Sequence, residues 1–200
     1  MSTPVIVAFI TGVLGPILVM YFKNLLERKK PSDMVQDTLR VSELIIHRLE
    51  HIKEEFDVDR VWITQFHNGG HFYPTGKSMA KFSIIYEVVS PGVGSVKHQF
   101  HNIPVNLFSK SIKHLFENDV IEIYDFKDET TPTYGLKYLA EETGCKSEYL
   151  FAIKTIEGRF IGTLGLEYTK RKHNLQIESI NHLQVHASSI GGVLMTHLSE

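Results

Sequence analysis

The residues best suited to bind a ligand are concentrated in one stretch of this 200-residue chain. Between Asp59 and Ser90, two runs rich in β-branched and aromatic residues, 61–66 and 82–89, flank a segment with three glycines, two histidines, a proline and a lysine. Runs of that composition predict strands. A polar, glycine-rich segment between two strands is a common place for binding groups, because the strands fix its ends while its middle adapts. The sequence therefore predicts a binding loop at 67–79.

This loop has part of the pattern of a phosphate-binding P-loop. That motif needs a glycine five positions before its Gly-Lys-Ser/Thr. The corresponding position before Gly76 is His71, and Gly70 is one residue too far away. The residues after Ser78 also predict a strand, so the helix N-terminus that completes a P-loop is missing. Nucleotide hydrolysis is therefore disfavoured, although Lys77 and free backbone amides can still bind an anion.

Four histidines of this loop and the next one, His67, His71, His98 and His101, have the donor type that zinc prefers. No carboxylate is fixed beside them, and the intervening glycines permit many geometries. We therefore predict no metal site and assign these side chains to ligand binding or to solvent.

A pocket beneath the loop would have aromatic walls and a few polar groups. Strand alternation places Phe82, Ile84, Tyr86 and Val88 on one face of their strand and Glu87 on the other. No Ser/His/Asp or Cys/His arrangement indicates a nucleophile, so we predict binding without catalysis and no enzyme activity. The predicted ligand-binding residues are His67, Asn68, His71, Phe72, Tyr73, Lys77, Tyr86, Glu87, His98, Tyr124 and Tyr134.

Charge and cysteine content narrow the functional classes. A formal net charge of −2 provides no basic field for nucleic acid, so no nucleic-acid partner is predicted. Cys145 is the single cysteine, which excludes an intrachain disulfide and suits a reducing compartment.

The N-terminal segment 4–22 contains no charged residue, and a helix of 19 residues spans roughly 28 Å. It therefore predicts a single transmembrane helix. Lys23, Arg28, Lys29 and Lys30 follow it, and positive residues favour the cytoplasmic side. We accordingly predict residues 1–30 as an anchor in the inner or plasma membrane and residues 31–200 as a cytoplasmic domain.

Two long helices are predicted at the ends of this domain, after Pro31 and over 176–198, from apolar residues at spacings of three and four. Their length makes a homodimer plausible. The pairs His47/His51 and His182/His186 lie one turn apart on these helices, a spacing that can hold a metal, but we interpret them as polar flanks. Small residues at 188–189 and 191–192 predict close packing against another helix.

A hairpin is predicted in the C-terminal part, with strands at 149–156 and 160–168 and a turn at Glu157-Gly158. Gly162 and Gly165 mark places where another backbone comes close. Over residues 34–198 the element order resembles that of GAF domains. The segment from Gly144 to the last helix is similar to that family's ending, and Ile161, Gly162, Leu164, Leu166 and Glu167 occupy its I-G-x-L-x-L-E strand.

The resemblance implies an α+β fold: a central antiparallel sheet with the first and last long helices on one face and a small-molecule site under short helices and loops on the other. Together with the anchor, it predicts a membrane-bound sensory domain that binds a small molecule and signals through a partner or by dimerisation. The sequence does not identify a particular ligand or cofactor. The alternatives are an anchored interaction scaffold without a ligand, in a phage or membrane complex, and a metal-dependent enzyme.

Overall fold

A computed structural model of the chain describes residues 10–26, 34–72 and 74–198. The chain divides between Thr38 and Leu39 into two compact units. The boundary predicted at residues 30 and 31 lies outside the described residues and stays a prediction.

The transmembrane helix predicted at 4–22 is wrong. Within the described ranges, no helix has both the length and the apolar run that a bilayer crossing needs. Residues 4–9 of the segment lie outside those ranges, and the rest forms a π-helix, Ile10–Leu14, followed by the 12-residue helix α1, Gly15–Leu26. Twelve residues rise only about 18 Å, against a hydrocarbon core of about 30 Å. Pro16 accounts for the irregularity, because its ring removes a backbone N–H and clashes with the carbonyl four residues earlier, at Gly12.

The second unit contains a six-stranded sheet in which every neighbouring pair is antiparallel, with the strand order β3-β2-β1-β6-β5-β4. The predicted fold class therefore needs one correction. The antiparallel sheet and the long helices are present, but no transmembrane helix is found among the described residues. The elements after α1 are α2 (Met34–Glu55), β1 (Arg60–His71), β2 (Ser78–Val89), β3 (Ile103–Pro104), a 3-10 helix (Val105–Phe108), α3 (Ser109–Asn118), β4 (Val120–Ile123), α4 (Lys137–Thr143), β5 (Ser147–Lys154), β6 (Phe160–Tyr168) and α5 (Ile177–Leu198).

Helices α2 and α5 cover one face of the sheet and bury the larger of two cores. Their apolar residues recur every three or four positions, so each helix presents one stripe to the sheet. Buried residues of this core include Ile45, Leu49 and Ile52 from α2, Leu183, Ala187 and Ile190 from α5, and Ile63, Phe151 and Leu164 from the sheet. Each fully buried aliphatic or aromatic side chain contributes about 1.5–3 kcal/mol of transfer free energy.

The opposite face carries a second, smaller core. Alternate residues of the strands point here, among them Trp62, Ile84, Ile121 and Leu150. Helices α3 and α4 and the segment 90–102 form its cover, and Val96, Leu115 and Ala140 are buried from that side.

Strands β1 and β2 form a longer hairpin than the sequence predicts. The segment predicted as a binding loop at 67–79 is mostly strand: His67 pairs with Lys81, Asn68 with Ala80 and His71 with Ser78. The glycines are accommodated inside the strand, because Gly69 packs under the Lys81 side chain and Gly70 has a φ of +94° beside a register shift.

Close backbone approach is found at two of the predicted small residues. A Cβ at Gly162 would lie 2.0 Å from the carbonyl oxygen of Thr64 in the neighbouring strand. On α5, a Cβ at Gly191 would lie 2.5 Å from the carbonyl oxygen of Lys154. The close packing predicted for α5 is therefore against strand β5.

The adjacent residues Gly191 and Gly192 provide a matched test of this contact. We expect Gly191→Ala to lower the free energy of unfolding by about 1–3 kcal/mol, because helix and strand must move apart. We expect Gly192→Ala to raise it by up to about 1 kcal/mol, because its added methyl group meets no described atom within 4 Å outside its chain neighbours and the backbone of its own helix, and alanine favours the helix. Urea denaturation measures both changes, and equal effects of the two substitutions would contradict the contact.

Candidate functional site

A cavity of about 60 Å³ lies within the second core, between the sheet and helices α3 and α4. Its walls are mainly apolar, with a few polar groups on the sheet side. The residues that line it from the sheet are Trp62, Thr64, Phe66, Phe82, Ile84, Glu148, Leu150, Thr163 and Glu167, and those from the cover are Val96, Phe100, Phe108, Ser111, Ile112, Leu115, Leu136, Leu139, Ala140, Thr143 and Cys145.

Three charged side chains form a row across the floor of the cavity. Arg60 on β1 lies directly opposite Glu167 on β6, and Glu167 lies directly opposite Glu148 on β5. All three residues are at most 5% exposed. Directly opposed cross-strand side chains lie within about 5.5 Å of one another. The sheet register thus places two carboxyl groups and one guanidinium on neighbouring strands, side by side inside the protein.

Glu148 and Glu167 form an acidic pair on neighbouring strands. Glu167 accepts two side-chain hydrogen bonds. The Arg60 guanidinium donates from Nη1 to Glu167 Oε2, and the Trp62 indole donates from Nε1 to Oε1 at 2.6 Å. Gly165 makes this possible, because a Cβ there would lie 2.3 Å from the indole ring. Gly165 therefore accommodates a side chain of the neighbouring strand, where the sequence predicted a backbone.

Arg60 also fixes the segment that covers the cavity. Its Nε and Nη2 both donate to the carbonyl oxygen of Gly94, at 3.0 and 2.8 Å. Glu87 supports the same segment, because it accepts from the backbone N–H of Val96 at 2.8 Å and from the Ser95 hydroxyl. Val96 is thereby held against the cavity.

Glu148 differs from Glu167 in its electrostatic surroundings. Burial raises the pKa of Glu148 well above its usual range, the neighbouring Glu167 raises it further, and Arg60 opposes the shift. Burial also raises the pKa of Glu167, but Arg60 and Trp62 favour its ionised form. Of these two carboxyl groups, Glu148 therefore holds its proton to a higher pH than Glu167.

Three further polar side chains of the wall, those of Cys145, Ser111 and Thr64, are hydrogen-bonded within the protein. The Cys145 thiol donates to the carbonyl oxygen of Ser147, and burial raises its pKa, which makes the thiol unreactive. The Ser111 hydroxyl donates to the carbonyl oxygen of Phe108, and the Thr64 hydroxyl accepts from the Thr163 N–H. Among the described residues that line the cavity, Glu148 is the group best placed to exchange a proton with a ligand.

The cover is more weakly held than the helix face. Helix α3 buries only Ser111 and Leu115, and α4 buries only Ala140. Elements with few buried apolar residues open at lower cost than the elements of a dense core. The cavity can therefore enlarge by outward movement of α3 and α4 while the sheet stays fixed.

The structure places most predicted site residues away from this cavity. His67 lies on the β1–β2 hairpin with Nε2 2.9 Å from the Ser83 hydroxyl, and Asn68, His71, Phe72 and Lys77 are exposed along the same hairpin. His98 and Tyr124 are exposed, and Tyr134 stacks on His114 with ring centroids 4.3 Å apart. Tyr73 lies outside the described residues. None of the ten described members of the predicted set lines the cavity.

A β-bulge explains why Tyr86 and Glu87 exchange sides. Ile63 pairs with Tyr86 and Thr64 with Ile84, so Ile85 is an extra residue in β2. Phe82 and Ile84 consequently face the cavity, whereas Tyr86 faces the helices, with its hydroxyl 3.2 Å from that of Ser42. Glu87 faces the Arg60 side, opposite to the predicted alternation.

The acidic pair was missed by sequence reasoning. Glu167 was visible as the last residue of the I-G-x-L-x-L-E pattern, and Arg60 stood at the start of a predicted strand. A charged residue inside an apolar strand signals a buried partner. The partner itself depends on the pairing register.

No protein-family model and no curated protein matches this chain. Solved structures do match it. A GAF domain region of a protein from Geobacter sulfurreducens is 14% identical, with a TM-score of 0.63 over 82% of this chain and 99% of that one. A phycocyanobilin-bound GAF domain from a cyanobacterial phytochrome is 16% identical, with a TM-score of 0.62 over 86% and 97%. A far-red cyanobacteriochrome photoreceptor is 16% identical, with a TM-score of 0.61 over 92% and 100%. The fold of this chain is GAF-like, as the sequence predicts.

The raised pKa of Glu148 leads to a pH-dependent prediction. A raised carboxyl pKa stabilises the fold fully below the unfolded-state pKa, and this contribution is lost as the pH rises through the folded-state pKa. Glu148→Gln cannot ionise, so we expect its free energy of unfolding to exceed that of the wild type increasingly from pH 5 to pH 9. The gain is about 1.4 kcal/mol for each unit by which the folded pKa exceeds the unfolded one.

Urea denaturation at several pH values measures this difference, and Glu122→Gln, on the exposed side of β4, is the control. We expect the control to differ from the wild type by a constant amount. A constant difference for Glu148→Gln as well would show that Glu148 is ionised throughout.

Proposed function

We propose that this chain is a sensory or binding domain that recognises a small organic cation in the cavity between the sheet and helices α3 and α4. The observation that carries the proposal is the acidic pair Glu148 and Glu167, which lines a mainly apolar cavity. Its one buried cationic neighbour, Arg60, also lies 3.9 Å from the buried carboxylate of Glu87. A ligand ammonium or amidinium group would supply the second positive charge. Its binding would ionise Glu148 and bury the ligand's apolar part against the cover.

Recognition without reaction is part of the proposal. It is supported by the unreactive Cys145 thiol and by the engaged hydroxyls of Ser111 and Thr64. We also propose a reducing compartment such as the cytoplasm, which the single cysteine supports.

The size of the cavity limits the ligand. A cavity of about 150 Å³ is needed to take up benzene, and drug-sized ligands occupy about 300–1,000 Å³. The 60 Å³ found here suits a molecule of a few heavy atoms, or a somewhat larger one if α3 and α4 move outward. Two of the matched structures hold a bilin: phycocyanobilin in the GAF domain of the cyanobacterial phytochrome, and biliverdin in a far-red-absorbing protein. A tetrapyrrole would require a much larger displacement here.

The ligand prediction is tested with the full chain and pairs of compounds of matched shape. Each primary ammonium, from ethylammonium to benzylammonium, is compared with the corresponding alcohol by thermal shift. At a concentration of about 100 times Kd, we expect an ammonium to raise Tm by about 5–10 °C, and the alcohol to bind at least tenfold more weakly. Glu148→Gln should abolish this preference, and Glu122→Gln should keep it.

Equal shifts with ammonium and alcohol, or a preference that survives Glu148→Gln, would contradict a cation site. A shift with biliverdin would instead identify a tetrapyrrole occupant. If no compound changes Tm, the alternative of an interaction scaffold without a ligand is favoured.

We further propose that the domain signals as a homodimer through α2 and α5. Several large apolar side chains of these helices are at least half exposed, among them Leu39, Leu44 and Val185, at 59, 50 and 64%. Exposed apolar side chains on long helices favour contact with a second copy.

We expect light scattering to give the mass of a dimer for the wild type and of a monomer for Leu44→Glu or Val185→Glu. Ile156→Glu, in the exposed turn between β5 and β6, is the matched control and should remain dimeric. A monomeric wild type would overturn the dimer proposal.

A further inference from the structure

Four polar side chains meet where the C-terminal end of α2 packs against the N-terminal half of α5, on the face of the sheet opposite to the cavity. His51 and Glu55 are one turn apart on α2, and His182 and His186 are one turn apart on α5. The Glu55 carboxylate contacts all three imidazoles. Its Oε2 lies 3.3 Å from His51 Nδ1 and 3.7 Å from His186 Nε2, and its Oε1 lies 3.0 Å from His182 Nδ1.

From these contacts we infer that His51, Glu55 and His186 form a binding site for one Zn²⁺-class transition-metal ion, with His182 as a fourth donor. The donor atoms of the first three residues all lie within 4.8 Å of one another, and they are the one such group among the described residues. Tetrahedral zinc with bonds of about 2.0–2.1 Å requires donors roughly 3.3–3.4 Å apart. The observed separations of 3.3 and 3.7 Å from Glu55 Oε2 are close to that value.

The state of His186 supports a cation over an ordinary hydrogen-bonded cluster. Its Nε2 is buried and has no hydrogen-bond partner, although it points towards a carboxylate oxygen 3.7 Å away. An unsatisfied buried polar atom costs about 1–3 kcal/mol. A metal ion between the nitrogen and the carboxylate would satisfy both groups.

One cationic side chain besides the histidines faces the cluster. The Arg48 guanidinium donates to the hydroxyl of Ser189, three residues after His186 on α5.

The two helices hold the donors in place. Ile52, Leu183 and Ala187 lie buried beneath the cluster, and the Phe56 ring packs 5.9 Å from that of His182 and 6.4 Å from that of His186. Donors on packed helices are positioned more precisely than donors on loops. The side chains of His51 and His182 are 62 and 51% exposed, so an ion can enter and leave directly from solvent.

The full chain, stripped with chelator and dialysed, is titrated with ZnCl₂ by calorimetry, and Co²⁺ is used separately as a spectroscopic probe of coordination. We expect one ion per chain and the intense visible absorption of tetrahedral Co²⁺. His186→Gln and Glu55→Gln should each weaken Zn²⁺ binding at least tenfold, because each removes a donor. His47→Gln, one turn before His51 and exposed, is the matched control and should bind as the wild type does.

A wild type that binds no Zn²⁺ would overturn the site, and so would equal affinity in His186→Gln and His47→Gln. A His182→Gln chain that binds as tightly as the wild type would overturn the fourth donor. Circular dichroism of each variant shows that a loss of binding is not a loss of folding. Glu148→Gln should leave Zn²⁺ affinity unchanged, which separates this site from the cavity.

Discussion

The buried guanidinium of Arg60 connects the sheet, the cover and the floor of the cavity. It binds Glu167 across the β1–β6 pair and the carbonyl oxygen of Gly94 in the covering segment. Removing one partner of a buried ion pair costs about 3–5 kcal/mol, because the remaining charge is left uncompensated. Arg60 is shared between Glu167, directly opposite it, and Glu87, whose Oε1 lies 3.9 Å from Nε. Glu148, one strand further away, pairs with Glu167 in the sheet, and burial raises its pKa.

The two faces of the sheet serve different purposes. The helix face is closed by two 22-residue helices with continuous apolar stripes, so it supplies most of the burial. The other face is covered by a 10-residue and a 7-residue helix that bury three residues between them. The face covered by α2 and α5 thus contributes more to the stability of the fold than the face covered by α3 and α4. The histidine cluster lies at the margin of the stable side, where its geometry is held independently of any ligand in the cavity.

Local sequence patterns predicted most helices and strands of this fold. The face of the sheet on which each side chain lies depends on how the strands pair, which those patterns do not show. The apolar spacing of α2 and α5, the turn at Gly158 and the tight approach at Gly162 were all readable from the sequence. The single extra residue at Ile85 could not be predicted from the sequence. It exchanges the faces of the sheet on which Tyr86 and Glu87 were predicted to lie. The row of Arg60, Glu167 and Glu148 likewise exists only once three strands are in register. The prediction of a transmembrane helix was wrong, because composition does not show that the backbone changes from a π-helix to a 12-residue α-helix at Gly15.

The β1–β2 hairpin extends beyond the sheet. Strand β1 pairs with β6 only as far as Gln65, whereas its pairing with β2 continues to His71. Phe66 and Phe82 face each other where the hairpin leaves the sheet, and both line the cavity. Their rings contact Phe160 and Phe108, with centroids 4.9 and 5.4 Å apart. The base of the hairpin is therefore part of the cavity wall, and the outline of the cavity depends on the angle at which the hairpin leaves the sheet.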